Sequence, residues 1–345
     1  MTRPSPVTPK ALTINSKYAE AFNNLGITHS DLEKHEEAIA CYNRALRIKP
    51  EYVEAHNSRN LSIHYSSDWS VDTIFEKHLE FEKQFGGPEV RTARNAPARK
   101  KVGERLKIGY VSPDFWTHSV AYLFESLIRA HDKTTVETFC YYNDKIDDET
   151  TKRLKNLSEH WRSIVGQSDN DVVDLIQRDG IDFLVDRAGH TANNRLTLFA
   201  RKPAPIQVTW LGYPDTTGLS AVDYHFTDIV ADPVGEADKF HTEKLIRLPN
   251  GFHCYRGDAT VSANSELPFG SRGHITFGSL KNLTKVTPQV VLTWARILRE
   301  LPILHLLLKS KQLENSSICS RFLDLFRESG VSEDRFELHA YLPGK

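Results

Sequence analysis

No sign of charge dominates this chain: its 345 residues carry 44 Lys and Arg against 45 Asp and Glu. The basic excess of a dedicated nucleic-acid binder is missing. Its four cysteines, Cys41, Cys140, Cys254 and Cys319, stand far apart and form no CxxC pair. They read as reduced thiols of a cytoplasmic or nuclear protein rather than as a disulfide framework. No apolar run approaches the roughly 18 residues of a membrane span, and the opening MTRPSPVTPK lacks the apolar core of a secretory signal. The chain has no HExxH, no Cys/His cluster and no obvious DxD after a strand, so no metal site is expected. Nucleic acid and membrane are not expected among its partners. What it does have is length, ample for a large core and for more than one domain.

An internal repeat opens the chain. YAEAFN begins at Tyr18 and YVEAHN at Tyr52, an offset of 34 residues. Between them lie Leu25-Gly26 and then EEAIACYNRALRIKP, which ends in Pro50. That period, with Gly at a helix crossing and Pro after the second helix, is the tetratricopeptide pattern. Ala38 and Ala45 would let paired helices approach, while Leu25, Ile39, Tyr42 and Leu46 fill the seam. So short an array cannot bury a solenoid core alone, so more repeats lie upstream or these helices pack on the next domain. Asn23, Asn24 and Asn57 are placed on or near an inner helix, where amides could hold a protein substrate's backbone.

Helical character continues to Phe85, and GGPEVRTARNAPARKKVGER then breaks it as a linker. Beyond it, strands alternate with amphipathic helices: LKIGYVS, AYLFESLIRAH, VETFCYYN, VVDLIQRDG, IDFLVD. A second start follows with HITFGSL, VVLTWARILREL, LHLLLKS and SSICSRFLDLFRESG. This alternation predicts an α/β fold of two doubly wound parallel-sheet units, with ligands bound beyond the strand carboxyl ends. The expected division is a repeat segment 1–88, a linker 89–104, a first lobe 105–268 and a second lobe from 269 onward.

Chemistry-bearing residues collect at those strand ends. SPDFWTHS places Asp114 and His118 just past the first strand, where an imidazole can exchange protons and a carboxylate can orient it. His190, Asn193 and Asn194 follow the strand IDFLVD. The loop WLGYPDTTG follows IQVTW, with Gly212 and Pro214 fixing its backbone. Each loop alone could be an ordinary turn; two on one sheet edge favour a site.

IGYVSPDFWTHS, GHTANNRL, PAPIQVTWLGYPDTTGL, VDYHFTD and ITFGSLKNLTKVTP resemble the catalytic region of the protein O-glycosyltransferases joined to tetratricopeptide repeats, the O-GlcNAc transferase and SPINDLY family. The resemblance runs from about Tyr18 to the last residue. It implies a two-lobed Rossmann-like fold of the GT-B type and inverting transfer, without a metal ion, to Ser or Thr hydroxyls of intracellular proteins. By the same resemblance, His118 is the histidine at the sugar and acceptor hydroxyl, with Asp114 its acidic neighbour. Lys285 matches the lysine that meets the nucleotide diphosphate, where an ammonium offsets leaving-group charge. Asn282 matches a polar position near the nucleotide, and Gly212, Tyr213 and Pro214 match a loop against the donor sugar, beside His190 and Asn194.

Two departures qualify the match. His190 stands where animal O-GlcNAc transferases have tyrosine, a feature of the SPINDLY and bacterial type, which leaves both UDP-GlcNAc and GDP-fucose open as donors. The family's Gly-Thr-Thr segment would lie beyond Lys345, so the second lobe is expected to be incomplete, with apolar faces around LHLLLKS and RFLDLFRES unpartnered. The expected activity is nucleotide-sugar-dependent protein O-glycosylation with no cofactor. The alternative is an inactive relative that serves as an interaction module.

Overall fold

The computed structural model describes residues 18–87, 103–257 and 266–340. The chain forms two compact units, one of residues 1–27, 37–64 and 69–257 and one of residues 28–36, 65–68 and 258–345. The repeat helices, read from sequence as a segment of their own, thus group largely with the first lobe. The boundary after that lobe falls at 257, eleven residues before the expected 268. Residues 89–102 of the expected linker lie outside the described residues.

Four helices begin the described chain: α1 (Ala19–Asp31), α2 (His35–Ile48), α3 (Val53–Ser62) and α4 (Val71–Phe85). Gly26 lies at a crossing that needs glycine, because a Cβ there would come within 2.5 Å of the Tyr42 ring. Ala38, Ile39, Tyr42 and Ala45 are buried as the repeat pattern requires. Asn23 and Asn57 are buried too, which removes both from any open peptide groove; Asn24 is exposed. α4, capped by Ser70 accepting from the Thr73 amide at 3.2 Å, buries Phe81 completely. Phe81 shares a core with Leu184, Leu198 and Phe199, so the helix completes the lobe's hydrophobic interior rather than a solenoid's.

The lobe is a seven-stranded sheet of β1 (Leu106–Ser112), β2 (Val136–Tyr142), β3 (His160–Ser163), β4 (Phe183–Asp186), β5 (Ile206–Thr209), β6 (Tyr224–Thr227) and β7 (Lys244–Arg247). Its order is β3-β2-β1-β4-β5-β6-β7, and every pair is parallel. The order reverses between β1 and β4, with Val111 opposite Asp186 near their carboxyl ends. That reversal opens a crevice, the ligand position of doubly wound sheets. Local signals define the connecting helices: α5 (Ser119–Ala130), α6 (Glu149–Leu157) with a capping box from Asp148, and α7 (Asp169–Asp179) closed by Gly180 at φ +68°. β3, β6 and β7 are four-residue strands without an apolar run, and sequence periodicity does not reveal them.

The second unit has three parallel strands, β8 (Ile275–Ser279), β9 (Leu304–Lys309) and β10 (Phe336–His339), in the order β10-β9-β8. Helices α8 (Pro288–Glu300) and α9 (Ser316–Glu328) accompany them. The expectation of bare faces around LHLLLKS and RFLDLFRES is corrected: Leu304, Leu306, Leu308, Phe322 and Phe326 form the unit's core. Exposed apolar side chains lie instead on and after β8, at Ile275, Phe277 and Leu280.

Candidate functional site

The crevice at the reversal is lined from β1. The amide of Asp114 donates to Ser112 Oγ at 3.0 Å, and Phe115, fully buried, stacks on Phe124 of α5. Thr117 donates its amide to Asp148 Oδ2 at 2.8 Å, pinning the loop's far side. His118 then serves as N-cap of α5, in extended backbone, its Nδ1 accepting weakly from the Val120 amide at 3.4 Å. The same Nδ1 lies 3.8 Å from Asp114 Oδ1. The imidazole is 36% exposed and the carboxylate 15%, so a ligand can reach the ring while the acid stays sheltered. Burial raises the Asp114 carboxyl above its ordinary range, partly offset by His118 and Arg187. While Nδ1 accepts from Val120, a neutral ring carries its proton on Nε2; giving up that long cap bond for a proton on Nδ1 facing Asp114 would free Nε2 as a base.

Arg187, just past β4, is a site neighbour that the sequence reading missed. It is fully buried, with its guanidinium 3.8 Å from the Phe124 ring centroid. Nη2 donates to the Val120 carbonyl at 3.0 Å, while Nε and Nη1 have no hydrogen-bond partner among the described residues. Burial pushes its pKa down to about 9, and the aromatic faces of Phe115, Phe124 and Trp210 supply the remaining stabilisation. A charged residue at a strand's carboxyl end was the available signal, visible in IDFLVDRAGH.

The next two loops are welded backbone to backbone. Buried Asp186 accepts from the amides of Ala188 at 3.1 Å and Gly189 at 2.9 Å, and from Thr209 Oγ1 at 2.8 Å. A Cβ at Gly212 would lie 1.9 Å from the Arg187 carbonyl oxygen, so only glycine permits this approach. Leu211 before it takes φ +85°, a strained value for a bulky residue. Pro214 is exposed and Gly212 half-buried. Asn194 donates to the Thr191 carbonyl at 2.7 Å and accepts from the Leu196 amide at 3.0 Å, shaping its own loop.

His190 and Tyr213, expected to face the donor, are buried instead, 1% and 3% exposed. His190 Nε2 faces the Thr217 carbonyl at 3.0 Å, which can only accept, so Nε2 carries the proton. Its Nδ1, left with the lone pair, lies 2.7 Å from the Asn57 side-chain amide, which bonds it by turning its Nδ2 group to the ring. Burial holds the ring neutral, well below the ordinary histidine value. The Tyr213 hydroxyl lies 2.8 Å from His78 Nε2, 2.9 Å from His64 Nε2 and 2.9 Å from the Asn60 carbonyl. Both residues therefore join the repeat helices to the lobe. Among the described residues, His64, His78 and Asp215 are a group whose ligand atoms lie close enough to hold a metal ion.

In the second unit, Asn282 caps a short turn, Leu283–Lys285, by accepting from the Thr284 amide at 3.0 Å. Lys285 follows β8, exposed, with no ion pair among the described residues. His118 and Asp114 thus belong to one unit, Lys285 and Asn282 to the other.

A family model described as Glycosyl transferase family 41 matches residues 90–265, and a tetratricopeptide repeat model matches residues 19–52. The chain belongs to glycosyl transferase family 41. It is 39% identical over 300 residues to the Solanum lycopersicum protein named "Probable UDP-N-acetylglucosamine--peptide N-acetylglucosaminyltransferase SPINDLY", covering 85% of this chain and 32% of that protein. It is 43% identical over 153 residues to the "UDP-N-acetylglucosamine--peptide N-acetylglucosaminyltransferase" of Caenorhabditis elegans, covering 44% of this chain and 13% of that one. A solved mutant of the Thermobaculum terrenum O-GlcNAc transferase superposes with a TM-score of 0.87 at 33% identity, covering 98% of this chain and 64% of that chain. The GT-B-type fold expected from the sequence is the fold of this family 41 chain. The chain spans about a third of the length of the first of these curated relatives.

Proposed function

We propose that this family 41 chain takes part in transferring a sugar, GlcNAc from UDP-GlcNAc, to Ser or Thr hydroxyls of proteins. The observation that carries the reading is the His118–Asp114 pair, half-open at the crevice where β1 and β4 diverge. In the transfer, the acceptor oxygen forms a bond to the anomeric carbon as the bond to the nucleotide diphosphate breaks. His118 Nε2 takes or orients the hydroxyl proton, and Asp114 steadies the imidazolium that results. Lys285 offsets charge on the departing diphosphate, which is the reason for writing the step without a metal ion. Protein acceptors are drawn in by the tetratricopeptide helices, in the cytoplasm or nucleus, where the four unpaired cysteines stay reduced.

The test is incorporation of label into protein acceptors by the full-length protein, with UDP-GlcNAc and GDP-fucose offered separately in EDTA. Label from UDP-GlcNAc that vanishes in His118→Ala supports the reading. Label from GDP-fucose alone would reassign the donor, a possibility kept by the histidine at position 190. Consumption of neither donor would leave an interaction module.

A further inference from the structure

Away from the His118 crevice, the first unit carries a pocket of about 350 Å³ lined by His64, Asp215, Asp232, Glu236, Phe240 and His241. His78 stands behind it, fully buried. His64 Nε2 is 3.5 Å from Asp215 Oδ2, and the ligand atoms of His64, His78 and Asp215 all lie within 4.8 Å of one another. The Nδ1–H of His78 donates to the Ile74 carbonyl at 2.8 Å, which fixes the tautomer and turns the Nε2 lone pair toward the group.

Two independent features call for a cation there. The first is His241, whose side chain is 5% exposed. Its Nδ1 faces the Ala237 carbonyl at 3.1 Å, and Nε2, on the other side of the ring, has no hydrogen-bond partner among the described residues. That buried Nε2 lies 3.9 Å from Asp215 Oδ1 and 3.9 Å from Asp232 Oδ1, too far for a hydrogen bond to either carboxylate. The second is the Tyr213 hydroxyl, whose one proton faces the His78 Nε2 lone pair and the Asn60 carbonyl, with His64 Nε2 also 2.9 Å away. A cation on His78 Nε2 would release that proton to Asn60 and satisfy both.

We propose that His64 Nε2, His78 Nε2 and Asp215 bind one divalent transition-metal ion of the zinc class. Two imidazoles and a carboxylate suit zinc rather than magnesium or calcium, which take oxygen ligands. The fourth position falls to Tyr213 Oη or water. His78 is fully buried and the His64 side chain only 20% exposed, so both rings are sheltered from water. The ion would tie α4 and the turn before it to the loop carrying Gly212 and Pro214. This role is structural, and it does not depend on the proposed glycosyl transfer.

The experiment strips the full-length protein with a chelator, removes the chelator, and titrates it with Zn²⁺ by calorimetry and with Co²⁺ by visible absorption. The expected result is one equivalent of Zn²⁺, a tetrahedral Co²⁺ spectrum and a rise in Tm on loading. His64→Ala and Asp215→Asn should each weaken Zn²⁺ binding by about 100-fold or more, while Asp232→Asn changes it little. Should His64→Ala fail to fold by circular dichroism, the near-isosteric Asp215→Asn decides. Absence of saturable one-to-one binding, or binding that Asp215→Asn leaves intact, overturns the site.

Discussion

Two histidines leave neighbouring strands of one sheet, at the same edge, and meet different fates. His118, after β1, keeps an open ring face, a weak cap bond and a sheltered carboxylate at 3.8 Å. His190, after β4, is 1% exposed and has a hydrogen-bond partner at each nitrogen. Position at a strand end therefore does not make a histidine chemical. What separates them is whether a lone pair is left for a ligand, and that depends on what packs above. Over His190 lies α4, with Phe81 and His78 edge-on to its ring; among the described residues no such helix covers His118.

The comparison breaks most sharply at the buried member. His190→Ala should cost about 4 kcal/mol of stability, from an aromatic-sized cavity and from the Asn57 and Thr217 groups left unpaired. Thermal unfolding should drop by roughly 10 °C. A loss below about 1 kcal/mol in a variant that loses its activity would instead make His190 a site residue.

Acid should find the same cluster next. His78 is held neutral by burial with its pKa near 4, whereas an unfolded histidine titrates near 6.5. Between those values the unfolded chain binds more protons, so stability is full above pH 6.5 and falls as pH drops toward 4. His78 alone accounts for on the order of 3 kcal/mol across that window, and His64 shifts in the same direction. Asp215, raised by burial, works the other way and softens the slope. Denaturant midpoints of the chelator-stripped protein, measured from pH 7 to pH 4, should fall steeply, and less so in His78→Gln. A flat profile in the parent would show that these rings accept protons while folded.

The open member should behave in the opposite sense. His118→Ala is expected to lower turnover about 100-fold while the unfolding temperature barely moves, because its cap bond is long and its ring half-exposed. Unfolding of this variant without a rate effect would place His118 with His190, as a packing residue.

The architecture was legible because strands such as LKIGYVS and helices with three-to-four apolar spacing announce themselves, and because YAEAFN and YVEAHN recur at a known period of 34 residues. The site was legible only in part. His118, Asp114 and Gly212 were found from strand ends and turn chemistry. Asn57, His64 and His78 lie more than a hundred residues from the loops they bind, and no local pattern ties them together. The same distance hid the His64–His78–Asp215 group, whose members share no metal-binding spacing in sequence. Arg187 was overlooked because a charged residue held without a salt bridge among the described residues is not expected in a core.

Asn282 gives the smallest effect and tests the second unit by the same rule. Its side chain accepts from the Thr284 amide at 3.0 Å and from Thr284 Oγ1 at 2.8 Å, holding the turn that presents Lys285. Leu283, buried, anchors that turn, and its amide donates to Gln312 Oε1 at 2.7 Å. Removal of the cap alone should therefore cost only about 1 kcal/mol, because Leu283 keeps the turn in place. Asn282→Asp keeps an accepting oxygen and should restore the stability, yet it sets a negative charge beside Lys285, where the proposed diphosphate would lie. Asn282→Asp should then weaken nucleotide binding more than Asn282→Ala does, measured by calorimetry with UDP on the full-length protein. Equal affinities in the two variants would separate Asn282 from the nucleotide and leave it as a turn cap.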